Sequence, residues 1–386
     1  MSDKHHIDTR LIHAGEPDPR IGGAAIVPIF QSTVFEHTGG EDYHAIPYPR
    51  LNNLPNHEVL NKKLASLEGG ETAAVAASGM AAISASLFAV LRSGDHLLVQ
   101  DCLYGGTHNL LTEELASFDI HHDVIDSADP DSWRSQLKPQ TKVILVEAIS
   151  NPLLQIIDHR AVVSFAQEHG LVSMIDSTFA TPINFRPCEI GYDLVLHSAT
   201  KYLNGHTDLT AGAIIGKHDL VTKVTHRLNH LGGCLDPHAC FLMHRGLKTL
   251  SLRVQRQNES AGNIARHLES QASVSKVHYP GLPEHPQHDL ARRLFSGFGG
   301  VVSFELTGDT TAALELIGAL RLPIAGPSLG GIESLICIPA RLSHAGMSAE
   351  ERQRMGISDG LLRLSVGIEA VEDLIADLDA ALAKVG

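Results

Sequence analysis

Short apolar runs that recur between helical stretches limit this chain's folding choices more than any other feature. His96–Gln100, Lys142–Glu147, Leu171–Asp176 and Asp193–His197 each read as a strand with little polar alternation. A strand of that kind hides both faces and needs helices above and below it. The intervening segments supply them. After the N-cap candidate Asn56, Val59, Leu60, Leu64 and Leu67 share one helical face, ended by Gly69-Gly70; helices over Thr107–Phe118 and Ala161–His169 follow. This alternation predicts an α/β chain with a mostly parallel sheet, whose ligands lie beyond the carboxyl ends of the strands.

The flanks differ. The first fifty or so residues hold Gly15, Pro17, Pro19, Gly22-Gly23, Pro28, Gly39-Gly40, Pro47 and Pro49 with no sustained period, and read as an arm lying against its own globule or a partner's. A long helix is predicted from about Pro237 to Ser270. After Pro280-Gly281 a second α/β pattern has strands at Gly300–Leu306 and Leu361–Ser365 and helices at Thr310–Leu320 and Ala370–Lys384. The expected division is an arm over 1–55, a ligand-binding domain over 56–245 and a smaller C-terminal domain over 246–386.

Several functions are disfavoured. Thirty Lys and Arg against 44 Asp and Glu give a net charge of −14, which opposes general nucleic-acid binding. Five scattered cysteines without a Cys-x-x-Cys suit a reducing compartment, and the start lacks an apolar signal region, so a cytoplasmic location is expected. Thr72–Leu91 is uncharged and long enough for a membrane span, but its Ala, Ser and Gly content better suits a buried strand, a turn at Ser78-Gly79 and a buried helix. The 24 histidines are dispersed without zinc-site spacing, so no metal is expected.

The chemistry concentrates in His197-Ser-Ala-Thr-Lys-Tyr-Leu-Asn-Gly-His206, just beyond a predicted strand. Lys201 lies between the hydroxyls of Ser198 and Thr200, and Asp176 ends the strand Val172-Ser-Met-Ile-Asp176. A lysine for a Schiff base, hydroxyls for a phosphate and a carboxylate for a pyridinium nitrogen are what pyridoxal 5'-phosphate needs. Ser78-Gly79-Met80, opening a predicted helix, offers backbone N–H groups for the same phosphate.

The segment His197–His206 resembles the lysine motif of the Cys/Met-metabolism pyridoxal-phosphate enzymes, the family of cystathionine γ-synthase, cystathionine γ- and β-lyases and methionine γ-lyase. The resemblance extends through Tyr48-Pro-Arg50, Ser78-Gly-Met-Ala-Ala82, Leu103-Tyr-Gly-Gly-Thr107, Asn151-Pro152 and Asp176-Ser-Thr-Phe-Ala-Thr-Pro182. It continues in Arg245-Gly-Leu-Lys-Thr-Leu250, Ser328-Leu-Gly-Gly-Ile-Glu-Ser-Leu335 and Leu362-Arg-Leu-Ser-Val-Gly-Ile-Glu369.

It implies the fold type I, aspartate-aminotransferase-like architecture of pyridoxal-phosphate enzymes. Tyr104 would stack on the cofactor ring and help protonate the leaving group; a phenol of pKa about 10 needs a nearby cation for that near neutral pH. Lys201 would be the Schiff-base lysine and the proton carrier. Arg363 would hold the substrate α-carboxylate by a bidentate fork, with Asn151 and Ser328 nearby. Tyr48 and Arg50 would enter a neighbouring subunit to bind its cofactor phosphate, so at least a homodimer is implied, a tetramer being usual among relatives. Leu54, between Asn53 and Pro55, departs from the Asn-Pro of many relatives.

The implied reaction is γ-elimination or γ-replacement on a homoserine-type or sulfur amino acid. A β-elimination of the cystathionine β-lyase type and a non-catalytic cofactor-binding homologue are the alternatives. Cystathionine-handling members often carry acidic residues where this chain has Pro47 and Cys337, and methionine γ-lyases a cysteine where it has Gly106. Those departures direct attention to O-acylhomoserine and to oxygen-linked analogues such as canavanine.

Overall fold

The computed structural model describes residues 5–36, 39, 46–308 and 310–385. Gly40 and neighbouring parts of the expected arm lie outside the described residues. Among the described residues twelve strands form two sheets. The larger sheet contains β1 (Thr72–Ala76), β2 (His96–Gln100), β3 (His121–Ile125), β4 (Thr141–Glu147), β5 (Val172–Asp176), β6 (Leu194–Ser198) and β7 (Gly212–Gly216). Their spatial order is β1-β7-β6-β5-β4-β2-β3. β3, β2, β4, β5 and β6 run parallel, and β7 is antiparallel to both β6 and β1.

Alternation along these strands feeds two apolar layers. Val143 and Leu145 of β4 point into one layer, with Leu97, Met174, Leu194 and Leu196; Ile144 and Val146 point into the other, with Leu98, Ile175 and Val195. All are buried, and each such side chain contributes about 1.5–3 kcal/mol relative to exposure. The uncharged stretch Thr72–Leu91 is β1 followed by the helix Gly79–Val90, whose Ala82, Ala85, Ser86 and Ala89 are buried. Small side chains let this helix lie close to β6 and β7. No helix among the described residues is long and apolar enough to cross a membrane.

The smaller C-terminal sheet contains β8 (Val274–His278), β9 (Val301–Leu306), β10 (Ile324–Ala325), β11 (Leu335–Cys337) and β12 (Leu362–Ser365), in the order β10-β11-β12-β9-β8. It is antiparallel except for β10 with β11. Phe304 and Leu364 pack there with Ile264, Leu268, Leu374 and Leu378.

Three local expectations are corrected. Leu54, not Asn56, caps the helix Pro55–Glu68; Pro55 provides the preset φ of a first turn, and the Asn56 amide instead bonds the arm at Phe30 N and Pro28 O, at 2.9 Å each. The long helix breaks at Lys248-Thr249 into Pro237–Leu247 and Leu250–Glu269. Leu250 and Val254 of the second segment belong to the larger sheet's core, whereas Ala261 to Leu268 belong to the C-terminal one. The helix expected over Thr107–Phe118 begins earlier, at Gly105, and widens into a π-helical turn over Leu110–Leu115.

Candidate active site

The carboxyl ends of β4, β5 and β6 converge on the start of the helix Gly79–Val90, leaving a cavity of about 610 Å³. It is lined by Ser78, Gly79, Met80, Tyr104, Asn151, Asp176, Ser198, Thr200, Lys201, Ser328 and Arg363. The topology thus joins segments separated by up to 285 residues of chain, from Ser78 to Arg363.

At one end, Ser78 caps the helix, its Oγ accepting from Ala81 N at 3.0 Å. The next N–H groups, those of Gly79 and Met80, have no partner within the helix and suit an anion. A Cβ on Gly79 would lie 2.7 Å from Ser198 Cβ, so only glycine lets the helix start meet the end of β6 this closely. Thr200 faces the cavity, but its hydroxyl is largely occupied: it accepts from Ala211 N at 3.0 Å and donates to Ala211 O at 3.2 Å. It therefore clasps the lysine turn to the strand entering β7.

Lys201 is half-buried in the turn after β6, and its Nζ donates to Ser328 Oγ at 2.8 Å. Burial, aided by the nearby Arg363 charge, lowers its pKa to about 8, which makes the free amine accessible near neutral pH. The turn is braced from below: buried Arg253 donates to Tyr202 O at 2.8 Å and to Gly246 O at 2.9 Å. Gly246 permits that approach, since a Cβ there would strike Asn204 O.

Arg363, on β12, is 2% exposed. Its Nη1 donates to Asn151 Oδ1 at 2.8 Å, and its Nη2 donates to Pro327 O at 2.7 Å and Ser328 O at 3.2 Å. Its Nε is buried, and the Cys337 thiol is in side-chain hydrogen-bond contact with the guanidinium. Cys337, beside Arg363 in register, is buried and does not line the cavity.

Asp176 ends β5, and its Oδ1 accepts from Thr178 N at 2.9 Å and from Thr178 Oγ1 at 2.5 Å. Burial raises its pKa; the Thr178 bonds and the His197 charge oppose that rise. Thr178 Oγ1 also accepts from Ser198 N at 2.8 Å, so one hydroxyl ties the Asp176 carboxylate to the end of β6. Glu147 lies next to Asp176 in register. Its pKa is pushed well up by burial, then by the Asp176 charge. Neither Thr178 nor Glu147 was singled out as a site residue from sequence. A second acid at the end of the strand preceding Asn151-Pro152 was the available signal for Glu147.

Tyr104 stands at the rim, 38% exposed, with its ring over Gly106. Tyr48 and Arg50 do not line this cavity. Arg50 stacks on Tyr48, 5.3 Å from the ring centroid, and donates to Asn229 O at 3.1 Å.

The whole of residues 8–383 matches the model of the Cys/Met metabolism PLP-dependent enzyme family. The chain belongs to this family. It is 40% identical to the cystathionine beta-lyase of Lactococcus lactis subsp. cremoris (strain MG1363) over 98% of this chain and 99% of that one. It is 40% identical to the L-methionine gamma-lyase of Pseudomonas putida, over 97% and 96% of the two chains. The crystal structure of cystathionine gamma synthase from Xanthomonas oryzae pv. oryzae in complex with cystathionine superposes with a TM-score of 0.95 at 40% identity, covering 99% and 98%. The fold is therefore fold type I, and the protein is a PLP-dependent lyase or synthase of the trans-sulfuration group.

The residues present fit pyridoxal 5'-phosphate. The cradle at Gly79, which a Cβ would fill, suits the phosphate, and the half-buried Lys201 amine suits the aldehyde. Asp176 presents an Oδ2 that accepts no hydrogen bond among the described residues, as a protonated ring nitrogen requires.

Proposed function

We propose that this family member breaks the bond between Cγ and a heteroatom in a homoserine-type or sulfur amino acid, by elimination or replacement. The supporting observation is that one cavity holds two proton-handling groups at different depths, the half-buried Lys201 amine and the Tyr104 phenol at the rim. γ-Chemistry needs both: a base at Cα and Cβ, and an acid near the departing atom.

When bound, the cofactor supplies an aldehyde carbon for the amine and a cationic ring that withdraws electrons from the substrate's Cα. Ser78, Gly79, Met80 and Ser198 would hold its phosphate, Thr200 would brace the lysine turn beside it, and Asp176 would keep its ring nitrogen protonated. Arg363 would face the substrate α-carboxylate from the cavity wall, with Asn151 and the Pro327 and Ser328 carbonyls fixing the guanidinium plane. Lys201 Nζ, as a free amine, would take the proton from Cα and then one from Cβ. The Cγ–heteroatom bond breaks with its electron pair leaving on the heteroatom, which Tyr104 protonates. Hydrolysis then yields a 2-oxo acid and ammonia; a nucleophile entering at Cγ instead yields a substituted amino acid. The working unit is a dimer in which Tyr48 and Arg50 serve the neighbour's cavity, consistent with their absence from their own.

A panel of O-acylhomoserine, canavanine, methionine and cystathionine, followed for ammonia, 2-oxobutanoate and homoserine, tests the proposal. Turnover of cystathionine alone would overturn the homoserine-type assignment. The 40% identity to a cystathionine beta-lyase favours a second reading, β-elimination. Pyruvate with homocysteine from cystathionine would establish it, whereas 2-oxobutanoate with cysteine would exclude it.

A further inference from the structure

Glu147 is the side chain on which two walls of the cavity meet. It ends β4, is 6% exposed, and lines the cavity. Its Oε1 accepts from Tyr104 N at 2.7 Å and its Oε2 from Asn151 N at 3.1 Å. Its own N–H donates to Gln100 Oε1 at 2.8 Å, which holds the backbone from which it projects. Asn151 passes the constraint on: its Oδ1 receives Arg363 Nη1 at 2.8 Å, Arg363 Nη2 reaches Ser328 O, and Ser328 Oγ receives Lys201 Nζ. One chain of hydrogen bonds thus runs from the Tyr104 backbone to the lysine amine.

We propose that Glu147 is a positioning residue that clips the Tyr104 segment to Asn151 and, through Asn151, sets the guanidinium of Arg363 for the substrate carboxylate. The inference rests on the reading of Arg363 as the carboxylate holder. A carboxylate in this place is costly, because it is taken out of water and set beside Asp176. The chemistry explains why no cheaper side chain serves. One backbone N–H meets each of its oxygens, and a carboxyl group has an acceptor oxygen on each side of its fork. A glutamine of the same volume has one acceptor oxygen and would turn its NH₂ towards one of the two donors.

The test compares two probes that bind the holoenzyme without a γ-leaving group, L-alanine and ethylamine, which differ in the carboxylate. Binding is read from the change in the cofactor's visible absorbance. Glu147→Gln is expected to weaken alanine binding about tenfold and to leave ethylamine binding within about twofold of wild type. Asn151→Ala, which keeps the backbone clip but removes the bond to Arg363, is expected to show the same selectivity loss. Equal weakening of both probes by Glu147→Gln, or no weakening of either, would overturn the proposal. Arg363→Ala separates this from the underlying reading: if it leaves alanine binding unchanged, the carboxylate assignment itself fails. If Arg363→Ala removes the alanine preference while Glu147→Gln retains it, only the positioning role fails. Should Glu147→Gln not fold, Glu147→Asp, too short to span both donors, is judged by the same ratio.

Discussion

At the scale of single residues the cavity works by setting protonation states. Burial and Arg363 hold the Lys201 ammonium down to a pKa of about 8. Only the neutral amine attacks an aldehyde, so the apoprotein should take up pyridoxal phosphate faster as pH rises, levelling above about pH 8. Stopped-flow absorbance across pH 6–10 checks this, since an unperturbed lysine would place the plateau near pH 10.4. Lys201→Ala should lack any visible band that borohydride bleaches. Thr178 acts on the opposite side of the site. Thr178→Val preserves shape but leaves Ser198 N–H without its acceptor and Asp176 with only the backbone donor of residue 178. A loss of about 1–3 kcal/mol in cofactor affinity is expected, read by equilibrium titration of the apoprotein.

Among the secondary-structure elements, the strand ends of the larger sheet line the cavity and the adjoining helices fix where those ends stop. His159, first residue of the helix His159–His169, shows how firmly. Its ring is fully buried, within 2.9 Å of both Tyr192 Oη and Ala148 O, the latter just past β4. Burial lowers its pKa from 6.5 to about 4. The unfolded chain therefore binds a proton that the native ring refuses, and stability falls as pH drops from about 6.5 to about 4. The full effect is about 3 kcal/mol for this group. Urea unfolding at pH 7 and pH 5 should show the loss, and His159→Phe, which cannot take up a proton, should show a shallower pH slope.

At the scale of the whole molecule, the arm carries Tyr48 and Arg50, which do not line the chain's own cavity. If Tyr48 and Arg50 complete the neighbour's site, Arg50→Ala and Lys201→Ala are each inactive alone but complement one another when mixed and reassembled. A mixed dimer has one site with both Lys201 and Arg50 intact, and random pairing leaves about a quarter of the sites competent. Recovery of about that fraction of wild-type activity is expected; no recovery would mean that Arg50 serves its own subunit.

Much of this was legible along the chain, because strand runs and family motifs are local patterns. β2 was read to the residue, and β4, β5 and β6 to within one residue at each end, since full burial of both faces leaves continuous apolar runs. β3 escaped because an edge strand such as His121-His-Asp-Val-Ile125 keeps polar and exposed positions. Asn56 differs from the expected cap because a good capping residue two positions late is still a good hydrogen-bonding residue, and here the arm took its amide. By itself the sequence determined the fold class and the cofactor, each read from local runs and motifs. Only the tertiary structure decided that Glu147 joins Tyr104 to Asn151, that Thr178 ties Asp176 to Ser198, and that Tyr48 and Arg50 stand apart. Those relations depend on which strand ends lie side by side, and adjacency of that kind is fixed by packing, not by periodicity.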